Sequence, residues 1–117
     1  MDAQQLADRY AAAWNETDDV SRRRMIEQLW RPDGEHFVGT RAVKGYDELE
    51  KRVEGSHQKN VRESGNRFRA VQDARQLRDV VAFHWEMLRG DSEVVAAVGL
   101  EFLIVDEQGR IRSDYQF

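Results

Sequence analysis

The chain has 117 residues, 40% of them hydrophobic and 34% charged, so it is expected to fold as one domain over residues 1–117. With 18 basic against 22 acidic side chains the net charge is -4, which leaves no electrostatic footprint for nucleic acid. The absence of cysteine excludes disulfides, thiolate metal sites and cysteine nucleophiles.

No apolar run approaches the ~20 residues of a membrane span. The first residues, MDAQQLADRY, lack the basic-then-apolar order of a signal peptide, so the expectation is a cytoplasmic protein with no membrane partner. In chain order, Leu6, Tyr10, Ala13 and Trp14 recur at helical spacing, and Asn15-Glu16-Thr17 closes that first helix. Asp18 or Asp19 can cap a second helix, with Ile26, Leu29 and Trp30 on its buried side and Pro32 and Gly34 ending it. The basic run Arg22-Arg23-Arg24 reads as a solvated face of that helix. A short strand is expected over 35–39. Gly45 then precedes a third helix with Tyr46, Leu49 and Val53 on one stripe, and His57, near its end, is expected to face water.

The second half changes period, and strands are expected over 67–76, 80–89, 93–105 and 110–117. The turns between them are Leu77-Arg78-Asp79, Gly90-Asp91-Ser92 and Asp106-Glu107-Gln108-Gly109. Helices followed by an antiparallel meander make an α+β arrangement.

Within the meander, Glu101 interrupts an otherwise apolar strand. Pairing Gly90 with Glu93 sets His84 opposite Gly99 and Ala82 opposite Glu101; pairing Val105 with Arg110 sets Glu101 opposite Asp114 and Gly99 opposite Gln116. One sheet face then carries Ala82, His84, Glu86, Ala97, Gly99, Glu101, Asp114 and Gln116. The other carries Phe83, Trp85, Met87, Val98, Leu100, Phe102, Tyr115 and Phe117. A slip of two residues preserves these sets, whereas a slip of one mixes them. The first face is either an ordinary solvated sheet face or the lining of a pocket, and its small residues, Ala82, Ala97 and Gly99, leave room for a ligand.

The order of three helices with an inserted strand and then a long curved meander resembles the nuclear transport factor 2-like (NTF2-like) superfamily. Its small SnoaL-like and ketosteroid isomerase-like proteins look closest. Four stretches carry the resemblance: RYAAAWNETD, LWRPDGEHFVG, KGYDELEKRV and GLEFLIVDEQGRI. It implies a cystatin-like cone, with three N-terminal helices packed on a curved, mainly antiparallel sheet around a blind pocket. It also implies a homodimer through the outer sheet face.

Carried over position by position, the isomerase pattern matches its tyrosine oxyanion donor to Tyr10, which follows Arg9. Its acidic donor, eight residues before the last hairpin's glycine, matches Glu101, eight before Gly109. The family's general-base aspartate falls on His36 or on Val38, depending on where a two-residue gap is placed. Both share a strand face, so His36 is expected in the pocket either way. The resemblance therefore implies catalytic roles for Tyr10, His36 and Glu101 and pocket positions for His84, Glu86, Gly99, Asp114 and Gln116; of these, His84 and Asp114 are counted as catalytic for their own chemistry, and Glu86, Gly99 and Gln116 as binding ligand. Trp14 reads, with Trp30, Phe83 and Trp85, as a core or interface aromatic, and is counted with the ligand-binding residues.

A histidine near neutrality suits a general base, and a carboxylic acid in an apolar cone can keep its proton for an oxyanion. That pairing in the isomerase is a standard worked case of tuned acids. The expected activity is proton transfer next to a carbonyl by an isomerase-, cyclase- or dehydratase-type enzyme. Water activation by His84 and Asp114 is a second enzymatic reading. A non-catalytic ligand-binding domain or a dimerisation module is the rival. His84, Glu86 and Asp114 could form a metal site, but no helical or CxxC-type spacing supports it, and neither metal nor cofactor is expected. Phe83, Trp85, Met87, Val98, Leu100 and Phe102 are expected on the uncovered face, where a second copy of the chain would bury them.

Overall fold

A computed structural model describes residues 2–117. Helix α1, Ala3–Asn15, begins with a capping box: the Asp2 carboxylate accepts from the Gln5 backbone N–H at 2.8 Å, and Gln5 accepts from the Asp2 N–H at 3.1 Å. Helix α2, Asp19–Leu29, is capped by Asp18, which accepts from the Ser21 N–H at 2.8 Å. Helix α3, Tyr46–Ser56, starts after Gly45, whose φ of 84° suits a residue without Cβ. It runs on as a π-helical segment, His57–Glu63.

The sheet has seven strands: β1 Trp30–Val38, β2 Arg41–Lys44, β3 Asn66–Ala70, β4 Arg75–Leu77, β5 Val80–Arg89, β6 Val95–Val105 and β7 Ile111–Gln116. Their order is β2-β1-β7-β6-β5-β3, with β4 paired to β5 beside β3. All pairs are antiparallel except β1 with β7. The fold is therefore an α+β cone, with three helices against one face of a curved sheet. Leu6, Tyr10, Trp14, Ile26, Leu49 and Val53 of the helices meet Val81, Phe83, Leu103 and Ile111 of the sheet in a common buried core. Each large side chain so buried stabilises the fold by roughly 1.5–3 kcal/mol. No helix among the described residues is long and apolar enough to cross a membrane.

Several details depart from expectation. The strand expected over 35–39 begins at Trp30 and includes Pro32 and Gly34, where its pairing with β7 is irregular. Strand β2 carries too short an alternation to be read from sequence. The strand expected over 67–76 is broken at 71–74, because the Asp73 carboxylate turns in to accept from the His84 backbone N–H. Arg22 is buried rather than solvated: its guanidinium donates to the Glu16 and Thr17 carbonyls at the end of α1 and to Asp19. His57 is buried too, and its Nδ1 donates to the Trp14 carbonyl at 3.2 Å.

The largest correction concerns β5. Leu88 pairs with Val95, as the expected turn requires, but Met87 pairs with Ala97, so the ladder skips one residue of β6. That bulge shifts everything beyond it by one position. Glu101 stands opposite Phe83, Gly99 opposite Trp85, and His84 opposite Leu100. Phe83, Trp85 and Met87 therefore share the inner face with Glu101, while His84 and Glu86 go outside. The β6–β7 pairing differs from expectation by two residues, Glu101 with Gln116 and Leu103 with Asp114, so the inner set of those strands is preserved.

Candidate functional site

Glu101 and Asp114 reach the interior from neighbouring strands β6 and β7, and His36 joins them from β1, where it pairs with Asp114. All three are fully or almost fully buried. Tyr10 descends from α1 and donates its hydroxyl to Asp114 Oδ2 at 2.6 Å. His36 Nδ1 donates to the same oxygen at 2.7 Å. Trp85 Nε1 donates to Glu101 Oε1 at 3.1 Å. Two carboxyl oxygens, Glu101 Oε2 and Asp114 Oδ1, are buried without a donor among the described residues.

Two buried carboxyls side by side cannot both ionise cheaply. Burial, followed by the negative charge of Asp114 and a hydrogen bond to it, pushes the Glu101 carboxyl up to about 12, although the Trp85 N–H and the Tyr10 hydroxyl pull the other way. Glu101 thus keeps a proton at neutral pH. The Tyr10 hydroxyl is also held well above its ordinary value, by burial first and then by Asp114 and Glu101. One Nδ1 or Nε2 atom of His36 and one oxygen each of Glu101 and Asp114 lie within 4.8 Å of one another, a spacing from which a divalent cation could be held.

A cavity of about 510 Å3 lies between α1, α3 with its π-helical extension, and the inner sheet face. Tyr10, Trp14, Trp85 and Glu101 stand in its wall, with Gln116, Met87 and Phe68. His36 and Asp114 sit behind this wall. The residues named from sequence divide accordingly. Tyr10, His36, Glu101 and Asp114 come together, and Trp14 and Gln116 line the cavity. His84 and Glu86 do not join them. His84 is exposed and bonds Asp73 at 2.6 Å, and Glu86 accepts from Arg69 at 2.9 Å, so His84, Glu86 and Asp114 form no common metal or water site. Gly99 is inside, but the room it leaves belongs to Trp85, since a Cβ there would lie only 2.1 Å from the nearest atom of that indole. The glycine is what lets Trp85 lie across β6 and reach Glu101. Alternation alone predicts Trp85 on the outer face and away from the site, because it cannot reveal a bulge.

Neither a family model nor a curated protein matches the chain. Solved structures do. A SnoaL-like family protein from Agrobacterium tumefaciens str. C58, described as a candidate isomerase, superposes with a TM-score of 0.87 at 24% identity, over 97% of this chain and 94% of that one. A candidate polyketide cyclase from Sinorhizobium meliloti gives 0.71 at 8% identity, over 100% of both chains. The fold is NTF2-like. A de novo designed NTF2 fold protein also superposes, with a TM-score of 0.71 at 13% identity, over 99% of this chain and 85% of that one. An NTF2-like cone can thus be built by design, and function must be argued from the site.

Proposed function

We propose that this protein is a small-molecule enzyme of isomerase, cyclase or dehydratase type, carrying out proton transfer next to a carbonyl at the Glu101 end of the cavity. The observation that supports it most is a buried carboxyl in the wall of a cavity of about 510 Å3, its Oε2 without a donor among the described residues, where burial beside Asp114 favours its protonated form. An acid held that high does not release its proton to water. It shares the proton with an oxygen that has just become negative, the stage at which stabilisation lowers the barrier. In this reading Tyr10 provides the accepting side. Its oxygen takes a proton from the ligand's carbon while its own hydroxyl proton passes to Asp114 Oδ2, 2.6 Å away. His36 positions Asp114 and stabilises its charge from behind rather than touching the ligand.

The test is the conversion of cyclohex-3-en-1-one to its conjugated isomer, followed by ultraviolet absorbance. The wild type is expected to accelerate it, and Glu101→Gln to slow it about 100-fold. No acceleration by the wild type for this or related β,γ-unsaturated ketones would favour a non-catalytic binding domain, the reading supported by His36 lying behind the cavity wall. We further propose a homodimer through the outer sheet face. That face differs from the one expected: Val98, Phe102, Tyr115 and Phe117 are exposed on it, while Phe83, Trp85 and Met87 are turned inward. Phe37 stacks on Tyr115, and Phe102 meets Phe117 edge-on, giving a continuous aromatic patch. Sedimentation should show a dimer that Phe102→Asp dissociates; a monomeric wild type would overturn this.

A further inference from the structure

The charges around the cavity are unevenly distributed. Arg41 from β2, Lys51 and Arg52 from α3 and Lys59 from the π-helical segment all stand in its wall, and among the described residues Glu101 is the sole acid there. Because Glu101 holds its proton, four positive charges face the cavity with no negative one. In a chain of net charge -4 this is not a composition effect. None of the four forms an ion pair with a carboxylate among the described residues. Helix α3 sorts its charges: Asp47 and Glu50 turn away to Arg23 of α2, at 2.9 and 3.2 Å, while Lys51 and Arg52 turn to the cavity. The sorting is written in the spacing, since Lys51, Gly55 and Lys59, and likewise Arg52, Ser56 and Asn60, recur every four residues along one face.

Arg52 is the most telling of the four. It is half-buried, its guanidinium lies over the Trp14 ring at 5.0 Å, and its Nε is buried without an acceptor among the described residues. Desolvation lowers its pKa, so the folded protein keeps this cation at a cost that a bound anion would offset. A guanidinium held over an indole face keeps N–H groups available as a fork for a planar carboxylate. Trp14, Phe68, Trp85 and Met87 give the wall an apolar and aromatic part as well, beside the uncharged polar Ser56, Asn60 and Gln116.

We infer that the ligand of this cavity is a small organic acid, with an anionic head held by Arg52 and the lysines and an apolar body lying against the tryptophans toward Glu101. This rests on the cavity being the ligand site of the proposed function, and it deepens that reading by naming the ligand's charge.

The experiment uses the wild-type chain with two probes of the same shape, 4-phenylbutanoate and its neutral amide. Binding is followed by the NMR shifts of the Trp14 and Trp85 indole N–H groups at millimolar probe. The acid should bind about tenfold tighter than the amide, and the preference should shrink as salt is raised. Arg52→Gln should weaken the acid about tenfold more than it weakens the amide, and Lys59→Gln, at an exposed position, should give a smaller loss in the same direction. Equal binding of acid and amide, equal loss of both in Arg52→Gln, or no indole shift with either probe would overturn the inference. Its failure is separable from that of the enzymatic reading. Acid preference without ketone isomerisation keeps the anionic ligand and removes the catalysis; isomerisation without acid preference does the reverse.

Discussion

The molecule holds two histidine–aspartate pairs of nearly the same length, His36–Asp114 at 2.7 Å and His84–Asp73 at 2.6 Å. The first is closed from solvent, with side chains 1% and 0% exposed; the second stands at 56% and 34%. Inside, Asp114 serves two donors at once and forces a proton onto Glu101. Outside, burial of Asp73 works to raise its pKa, but the His84 ring and backbone N–H groups outweigh it and hold the carboxyl below its ordinary value. The same two side chains at the same distance thus do different things. Burial, rather than contact geometry, decides whether such a pair can organise chemistry, because water screens one and leaves the other alone.

The comparison breaks most directly at Asp114. Asp114→Ala leaves the Tyr10 hydroxyl and the His36 Nδ1–H without their acceptor inside the core, and should cost about 3–5 kcal/mol in denaturant unfolding. A loss below about 1 kcal/mol would put the inner pair in the same class as the outer one.

How much of this was legible in the sequence follows from the same contrast. The three helices and the inner placement of His36, Glu101 and Asp114 follow from period and from the resemblance, since a two-residue slip between β6 and β7 leaves faces unchanged; β2, the break between β3 and β4 and the parallel pairing of β1 with β7 do not. His84 was misplaced because β5 alternates as cleanly as any strand, and a bulge in its partner leaves no mark in that alternation. Without the bulge the polar residues of the two strands fall on one face, although those of β5 face solvent and Glu101 of β6 faces the core. Residue type alone predicts Arg22 and His57 in water; their acceptors, carbonyls at the ends of other segments, are set by tertiary structure.

Gly99 sharpens the inner half of the comparison. Gly99→Ala places a Cβ where the Trp85 ring lies, so the indole must leave and its N–H must give up Glu101 Oε1. Overpacking of this kind costs about 1–3 kcal/mol. The Trp85 indole N–H resonance should move with it, and an unmoved resonance would show that the glycine is incidental.

Glu101→Gln should act in the opposite direction on stability. The carboxyl titrates near 4.5 when unfolded and is pushed up to about 12 when folded. Between those limits the folded state holds a proton that the unfolded chain has released. Stability from this group is therefore greatest below 4.5 and declines as pH rises. A glutamine does not titrate, so the variant should gain on the wild type with rising pH and be more stable by about 1–3 kcal/mol at neutral pH. Denaturation at pH 5 and pH 8 measures it, the two values chosen to lie about three units apart inside the window where the slope is expected. A gap between variant and wild type that stayed constant with pH would mean that Glu101 does not hold its proton.

The smallest effect belongs to the outer pair. Asp73 is depressed in the folded protein, so its contribution is complete above the ordinary carboxylate range and is lost as pH falls through the folded value. His84→Ala should therefore change stability at neutral pH by under about 1 kcal/mol, because both side chains reach water and the pair is screened. What it should alter is the acid limb, where the variant loses less than the wild type on acidification because its Asp73 has less to give up. The backbone N–H of His84 still reaches Asp73 in the variant, so part of the acid dependence remains. Since His84 lies on the opposite sheet face from Glu101, isomerisation of the ketone should be unchanged by the same substitution. Lost activity in a stable His84→Ala protein would return this histidine to the site and contradict the bulge that places it outside.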